Sequence, residues 1–129
     1  MAERIYNAII LNEPYAGKVK ERIKTIETRM RRLSKPLGDV VICCDNGKSA
    51  GSPNAGKALC IVTSEGARIM TDDDEKAACI ECVSGRYAYP SKDWRYFSYD
   101  FKFTDYAITK NWQGIFQIRI PDFVTIIPS

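Results

Sequence analysis

What most constrains this chain is a succession of short β-branched runs. YNAIILN (residues 6–12), DVVICCDN (39–46), ALCIVT (58–63) and GIFQIRI (114–120) each have the length of one strand, and branching at Cβ packs well on a pleated surface while crowding a helix. The segments between them do not alternate regularly with helical patterns, which argues against a doubly wound parallel sheet. The expected fold class is therefore α+β: a small mixed β-barrel of about five to six strands with two or more short helices, in one unit over residues 1–129.

Local chemistry places the remaining elements. In PYAGKVKERI, Pro14 suits the first turn of a short helix, with Asn12 or Glu13 as its cap. TDDDEKAACIECV reads as a second helix, its acidic residues in the first turn where the macrodipole favours them and Thr71 or Asp72 as the cap. RYFSYDFKFTDYAIT alternates aromatic and polar residues as a half-buried strand does, and FVTIIP adds a short last strand. GKSAGSPNAGK (47–57) is a loop by composition and is expected to be the most mobile internal segment.

Charge and composition narrow the chemistry. A formal net charge of +3 means that any attraction to phosphate arises from a local patch and not from a global field. The chain has no histidine, which removes the usual near-neutral base and the commonest metal ligand. Five cysteines, an odd number set in apolar segments, read as reduced thiols, and the lone CxxC, Cys79 to Cys82, lacks the second pair that a zinc site needs. No metal or other cofactor is expected. No apolar run approaches the ~18 residues of a membrane span and the N-terminus lacks a secretory pattern, so the expected setting is cytoplasmic, with no membrane partner. The oligomeric state is left open.

GSPNAGKA (51–58) matches the phosphate-binding loop GxxxxGK[ST] except at Ala58, where the hydroxyl that holds magnesium is missing. That motif also needs a helix directly after it, whereas ALCIVT is strand-like. The segment is therefore read as a loop, with Lys48 and Lys57 able to attract an anion.

IKTIETR (23–29) poses a different question, because it is a short strand crowded with charge. Residues two apart share a face, so Glu27 and Arg29 project together while Ile26 and Thr28 project the other way, and a turn at Lys24 brings its amine to the same side. The segment PYAGKVKERIKTIETR resembles the hallmark of the ASCH domains, a PUA-like superfamily: a proline-aromatic start, a short helix, then GxKxxExR. Lys24, Glu27 and Arg29 match the lysine, glutamate and arginine, whereas Arg22 stands in place of the glycine. GDVVICCDNGKSAGSPNAGKALCIVTSE is similar to the family's pair of strands joined by a variable loop, and GRYAY with FKFTDYAITKNWQGIFQIRI resembles its closing segment.

The resemblance implies a PUA-like barrel that binds RNA or a nucleotide-like small molecule in a cleft between the charged strand, the first helix and the loop after CCDN. Lys24, Glu27 and Arg29 would line it, with Asp45 and Lys48 from the loop and Tyr15 and Trp112 as stacking surfaces. The alternative it implies is a small hydrolase, either a ribonuclease or an amidohydrolase of acylated cytidine, in which Lys24 would be catalytic. The family's catalytic threonine falls at Glu27, and its later glutamate would be Glu75 or Glu81, neither singled out by the sequence.

Overall fold

The computed structural model describes residues 4–33, 35–64, 66–109 and 114–129. Its centre is a pair of strands with both faces covered. In β3 (Gly38–Cys44), Val40, Ile42 and Cys44 enter one apolar cluster and Val41 and Cys43 the other. The period of two explains why the run is continuously apolar: each face of the strand meets a separate core. β4 (Ala58–Ser64) pairs antiparallel with β3, and a bulge that leaves Leu59 out of register puts both Leu59 and Cys60 into one cluster. β1 (Ile5–Leu11) pairs parallel with β3, and β7 (Phe116–Arg119) pairs antiparallel with β1.

β6 (Tyr87–Phe97) is the spine of the other half. One stretch of it pairs with β2 (Ile26–Arg29) and with β5 (Arg68–Ile69), and a later stretch pairs with β4 and with β8 (Ile126–Pro128). Within the later stretch Asp93 takes a left-handed φ of 55°, and there the register to β4 shifts. The helices are short: α1 (Tyr15–Lys20), α2 (Glu75–Ala78) and α3 (Phe103–Tyr106).

Three sequence expectations need correction. The described residues form eight strands, not five or six, in the order β2-β6-β4-β3-β1-β7 with β5 and β8 added on β6, and the sheet is not closed into a barrel. β2 ends the order at one side, and the C-terminal end of β1 faces it across a cleft instead of a ladder. The acidic segment also forms less helix than expected. Residues Asp72–Asp74 make a 3-10 turn before the four-residue α2, because the Asp74 carboxylate is engaged by the Thr71 N–H at 2.8 Å and by both terminal nitrogens of Arg68 at 2.6 and 2.7 Å. The aromatic segment RYFSYDFKFTDYAIT is likewise split, giving the end of β6 and then α3.

Candidate ligand-binding cleft

The site begins with how α1 stops. The Arg22 N–H donates to the Val19 carbonyl at 3.0 Å and the Ile23 N–H to the Lys18 carbonyl at 2.8 Å, the two bonds of a Schellman turn. Its left-handed position is Arg22, with φ 64°. This is where the hallmark has glycine, so the requirement there is one of backbone conformation, worth roughly 1–2 kcal/mol against a residue with Cβ. The Arg22 side chain leaves the cleft alone: its guanidinium sits 5.8 Å from the Trp94 ring centroid and 5.7 Å from that of Tyr96, and Nε donates to the Tyr96 hydroxyl at 3.2 Å.

The turn drives Lys24 inward. Its side chain is only 4 % exposed; the amine donates to the Ala78 carbonyl at the end of α2 and lies 3.9 Å from Glu27 Oε1 and 5.4 Å from the Tyr15 ring centroid. Burial lowers the Lys24 pKa below the ordinary lysine value, and the Glu27 carboxylate opposes that shift. The motif charge is thus not the exposed surface charge that a solvated strand would carry. Glu27 Oε1 also accepts the Thr28 N–H at 2.9 Å, which satisfies a donor on β2. The Thr28 hydroxyl in turn accepts from Arg86 Nη1 at 3.1 Å, and Arg86 Nε is buried with no hydrogen-bond partner among the described residues.

These groups surround a cleft of about 280 Å³, with Ile10, Leu11 and Ile80 supplying apolar wall. Two cations, Lys24 and Arg86, face one carboxylate, Glu27, so the cleft offers an anion-accepting corner, an acceptor for a base or ribose donor, and an aromatic side.

Of the residues singled out in the sequence, the structure brings Tyr15, Lys24 and Glu27 together. Arg29 is half-buried outside the cleft lining, and its Nε is buried without a partner among the described residues. Asp45 and Lys48 do not reach the cleft. Asp45 Oδ2 accepts the N–H groups of Gly47 at 2.9 Å and Lys48 at 2.7 Å, a local turn, and the Lys48 side chain is exposed. Trp112 lies outside the described residues. Glu75 is engaged by the Cys82 N–H at 2.6 Å and Glu81 is exposed, and neither lines the cleft.

Sequence reasoning missed Thr28 and Arg86. Alternation on a strand separates Thr28 from Glu27, but β2 ends the sheet order, and both residues line the cleft beside it. Arg86 is carried by GRYAY, where the left-handed Gly85 (φ 84°) precedes the spine strand β6.

The loop at 47–57 is also better held than its composition suggests. Glu13 Oε1 accepts the Gly17 N–H at 2.6 Å, while Oε2 accepts from Ser52 Oγ at 2.6 Å and Asn54 Nδ2 at 3.1 Å. The buried Ser49 hydroxyl accepts the Glu13 N–H at 2.9 Å. One carboxylate thus ties the loop to the start of α1. β4 begins at Ala58, a strand where a phosphate-binding loop needs a helix.

All five cysteines are free thiols, and burial pushes the Cys60 thiol up to about 12. Among the described residues no group of three or more His, Cys, Asp or Glu side chains is placed to hold a metal ion, and no helix is long and apolar enough to cross a membrane.

The sheet order, the short helices and the cleft beside β2 define a small α+β fold built on one open mixed sheet. It is an ASCH-like fold: the chain is similar to the crystal structure of ASCH from Zymomonas mobilis, with a TM-score of 0.59 over 92% of this chain and 89% of that chain, at 12% sequence identity. No family model matches the sequence, and no curated protein matches it.

Proposed function

We propose that the chain binds RNA or a nucleotide-like ligand in the cleft beside β2. The observation that carries this reading is the convergence of Lys24, Glu27, Thr28 and Arg86 with the Tyr15 ring on one concave site. At about 280 Å³ the cleft lies near the lower end of the ~300–1,000 Å³ typical of small-molecule sites, a size that suits one nucleotide unit and not a duplex. Lys24 and Arg86 would take phosphate or a base carbonyl, Glu27 a base or ribose donor, and Tyr15 the face of a splayed base. Calorimetric titration with nucleosides, nucleoside monophosphates and short single-stranded RNA tests it. At least one class should bind, and Glu27→Gln should weaken that binding; no measurable binding of any class would end the proposal.

A second reading, hydrolysis of RNA or of an acylated nucleoside, draws on one feature. The buried Lys24 amine, its pKa lowered by burial against the opposing Glu27 carboxylate, would exchange a proton in such a reaction. Product analysis with RNA and acylated cytidine separates the two: turnover abolished by Lys24→Met supports chemistry, and binding without product supports recognition alone.

A further inference from the structure

We propose that the loop following β2 is a track for the backbone of a single RNA strand, so that the occupant of the cleft is part of a polynucleotide and not a free mononucleotide. This rests on the binding reading above and extends it. Residues 28–38 contain Arg29, Arg31, Arg32 and Lys35 and no acid, against a net charge of +3 for the whole chain. The segment's four cations are thus uncompensated within it, and the rest of the chain sums to a slight excess of acid. Arg31, Arg32 and Lys35 are exposed, and none forms an ion pair among the described residues.

The loop also has shape. Beside it lies a second cleft of about 320 Å³, with Arg32 and Lys35 at its polar rim and Leu33, Pro36, Ala67 and Tyr89 as apolar wall. The Leu33 N–H donates to the Tyr89 hydroxyl at 2.8 Å, and Tyr89 is 1 % exposed, so a rigid core side chain holds the loop in place. Tyr89 is also the register partner of Glu27. Directly opposed residues of an antiparallel pair have Cα atoms roughly 4.5–5.5 Å apart, so a wall residue of one cleft is the cross-strand neighbour of a wall residue of the other. Arg29 lies at the end of β2, between Glu27 and the basic loop.

A cationic rim over an apolar wall is the pattern that follows a single strand, phosphates on the cations and base faces or ribose against the wall. An anionic membrane is the other surface such charge could meet. A concave site whose wall residue Tyr89 pairs across strands with Glu27 of a nucleotide-sized cleft fits a narrow strand better than a flat bilayer.

The test measures fluorescence anisotropy with a labelled eight-nucleotide single-stranded RNA, with a labelled nucleoside monophosphate as the short probe. It uses the wild type, Lys24→Met and a triple Arg31→Gln, Arg32→Gln, Lys35→Gln variant. The wild type should bind the octamer more tightly than the monophosphate. The triple variant, altered only at exposed positions, should keep its melting temperature and its monophosphate affinity. It should lose at least tenfold in octamer affinity at 0.1 M salt, and its log-log salt slope should fall by about 2, near 0.7 for each of three phosphates. Octamer binding no tighter than the monophosphate in the wild type, or wild-type octamer affinity and slope in the triple variant, would overturn the track while leaving the cleft reading intact. So would loss of binding to phosphatidylserine vesicles in the triple variant with octamer binding unaffected. Failure of both probes to bind the wild type would remove the track together with the reading on which it rests.

Discussion

Replacing Lys24 by methionine keeps most of a buried aliphatic stem and removes the ammonium. Three effects compete. The Ala78 carbonyl loses its donor, which costs about 1–3 kcal/mol when the acceptor stays buried. Glu27, whose side chain is 16 % exposed, loses the cation 3.9 Å away and keeps the Thr28 N–H. Against both stands the relief of no longer holding a charge in a site that is 4 % exposed, a penalty of several kcal/mol for a fully buried ion that the present partners offset. The balance is a destabilisation of about 1–3 kcal/mol, roughly 4–12 °C in melting temperature for a chain of this length. Lys24→Ala should cost more, since it also removes the stem packing. The pH dependence gives a second signature. A lysine whose folded pKa lies below its unfolded value of ~10.4 binds fewer protons when folded, so this residue makes stability rise with pH between the two values, and that rise should be missing in Lys24→Met. Urea unfolding from pH 7 to 10, alongside nucleotide titration, measures all three quantities. A Lys24→Met protein with wild-type stability, wild-type pH dependence and wild-type affinity would refute the reasoning.

Arg22→Gly should be more stable than Arg22→Ala by about 1–2 kcal/mol in urea unfolding, because both lose the Trp94 and Tyr96 contacts and only glycine relieves the left-handed backbone; equal stabilities would count against the Schellman turn. Asp74, held well below the usual carboxylate range by the Arg68 guanidinium and the Thr71 N–H, contributes stability that is fully present above about pH 4 and is lost as pH falls toward its depressed native value. The melting temperature of Asp74→Asn should therefore fall less steeply between pH 4 and 2 than that of the wild type, and parallel curves would exclude the pair as the cause. Glu13→Ala frees the Gly17 N–H, the Ser52 hydroxyl and the Asn54 amide together, so it should cost about 1–3 kcal/mol and raise amide exchange within 47–57; unchanged exchange there would mean that something else holds the loop.

The strands of the central pair were legible because burial on both faces leaves a plain apolar run, as in Val40 to Cys44. Sheet closure was not, since whether the edge of β2 meets the end of β1 depends on how strands distant in sequence are placed, which no local pattern encodes. The cleft was half legible. Lys24, Glu27 and Tyr15 lie in one continuous segment with a recognisable spacing, but Arg86 is brought in from 58 residues along the chain from Thr28. Asp45 and Lys48 were misplaced for a simpler reason: a loop aspartate beside glycine satisfies its own turn before it reaches any ligand. The loop at 47–57 misled by composition, because its serine and asparagine side chains are the groups that Glu13 holds.

The central claim is that ligand enters between β2, the start of α1 and Arg86, and a 15N–1H correlation spectrum titrated with short single-stranded RNA examines it residue by residue. The account predicts the largest shifts at the amides of Tyr15, Glu27, Thr28 and Arg86, with shifts at Arg31 and Arg32 appearing only for the longer strand, and with Trp94 and Tyr96 on the Arg22 side unmoved. Perturbations confined to the Arg22 and Trp94 side or to the 47–57 loop, with Glu27 and Thr28 unshifted at saturation, would contradict it.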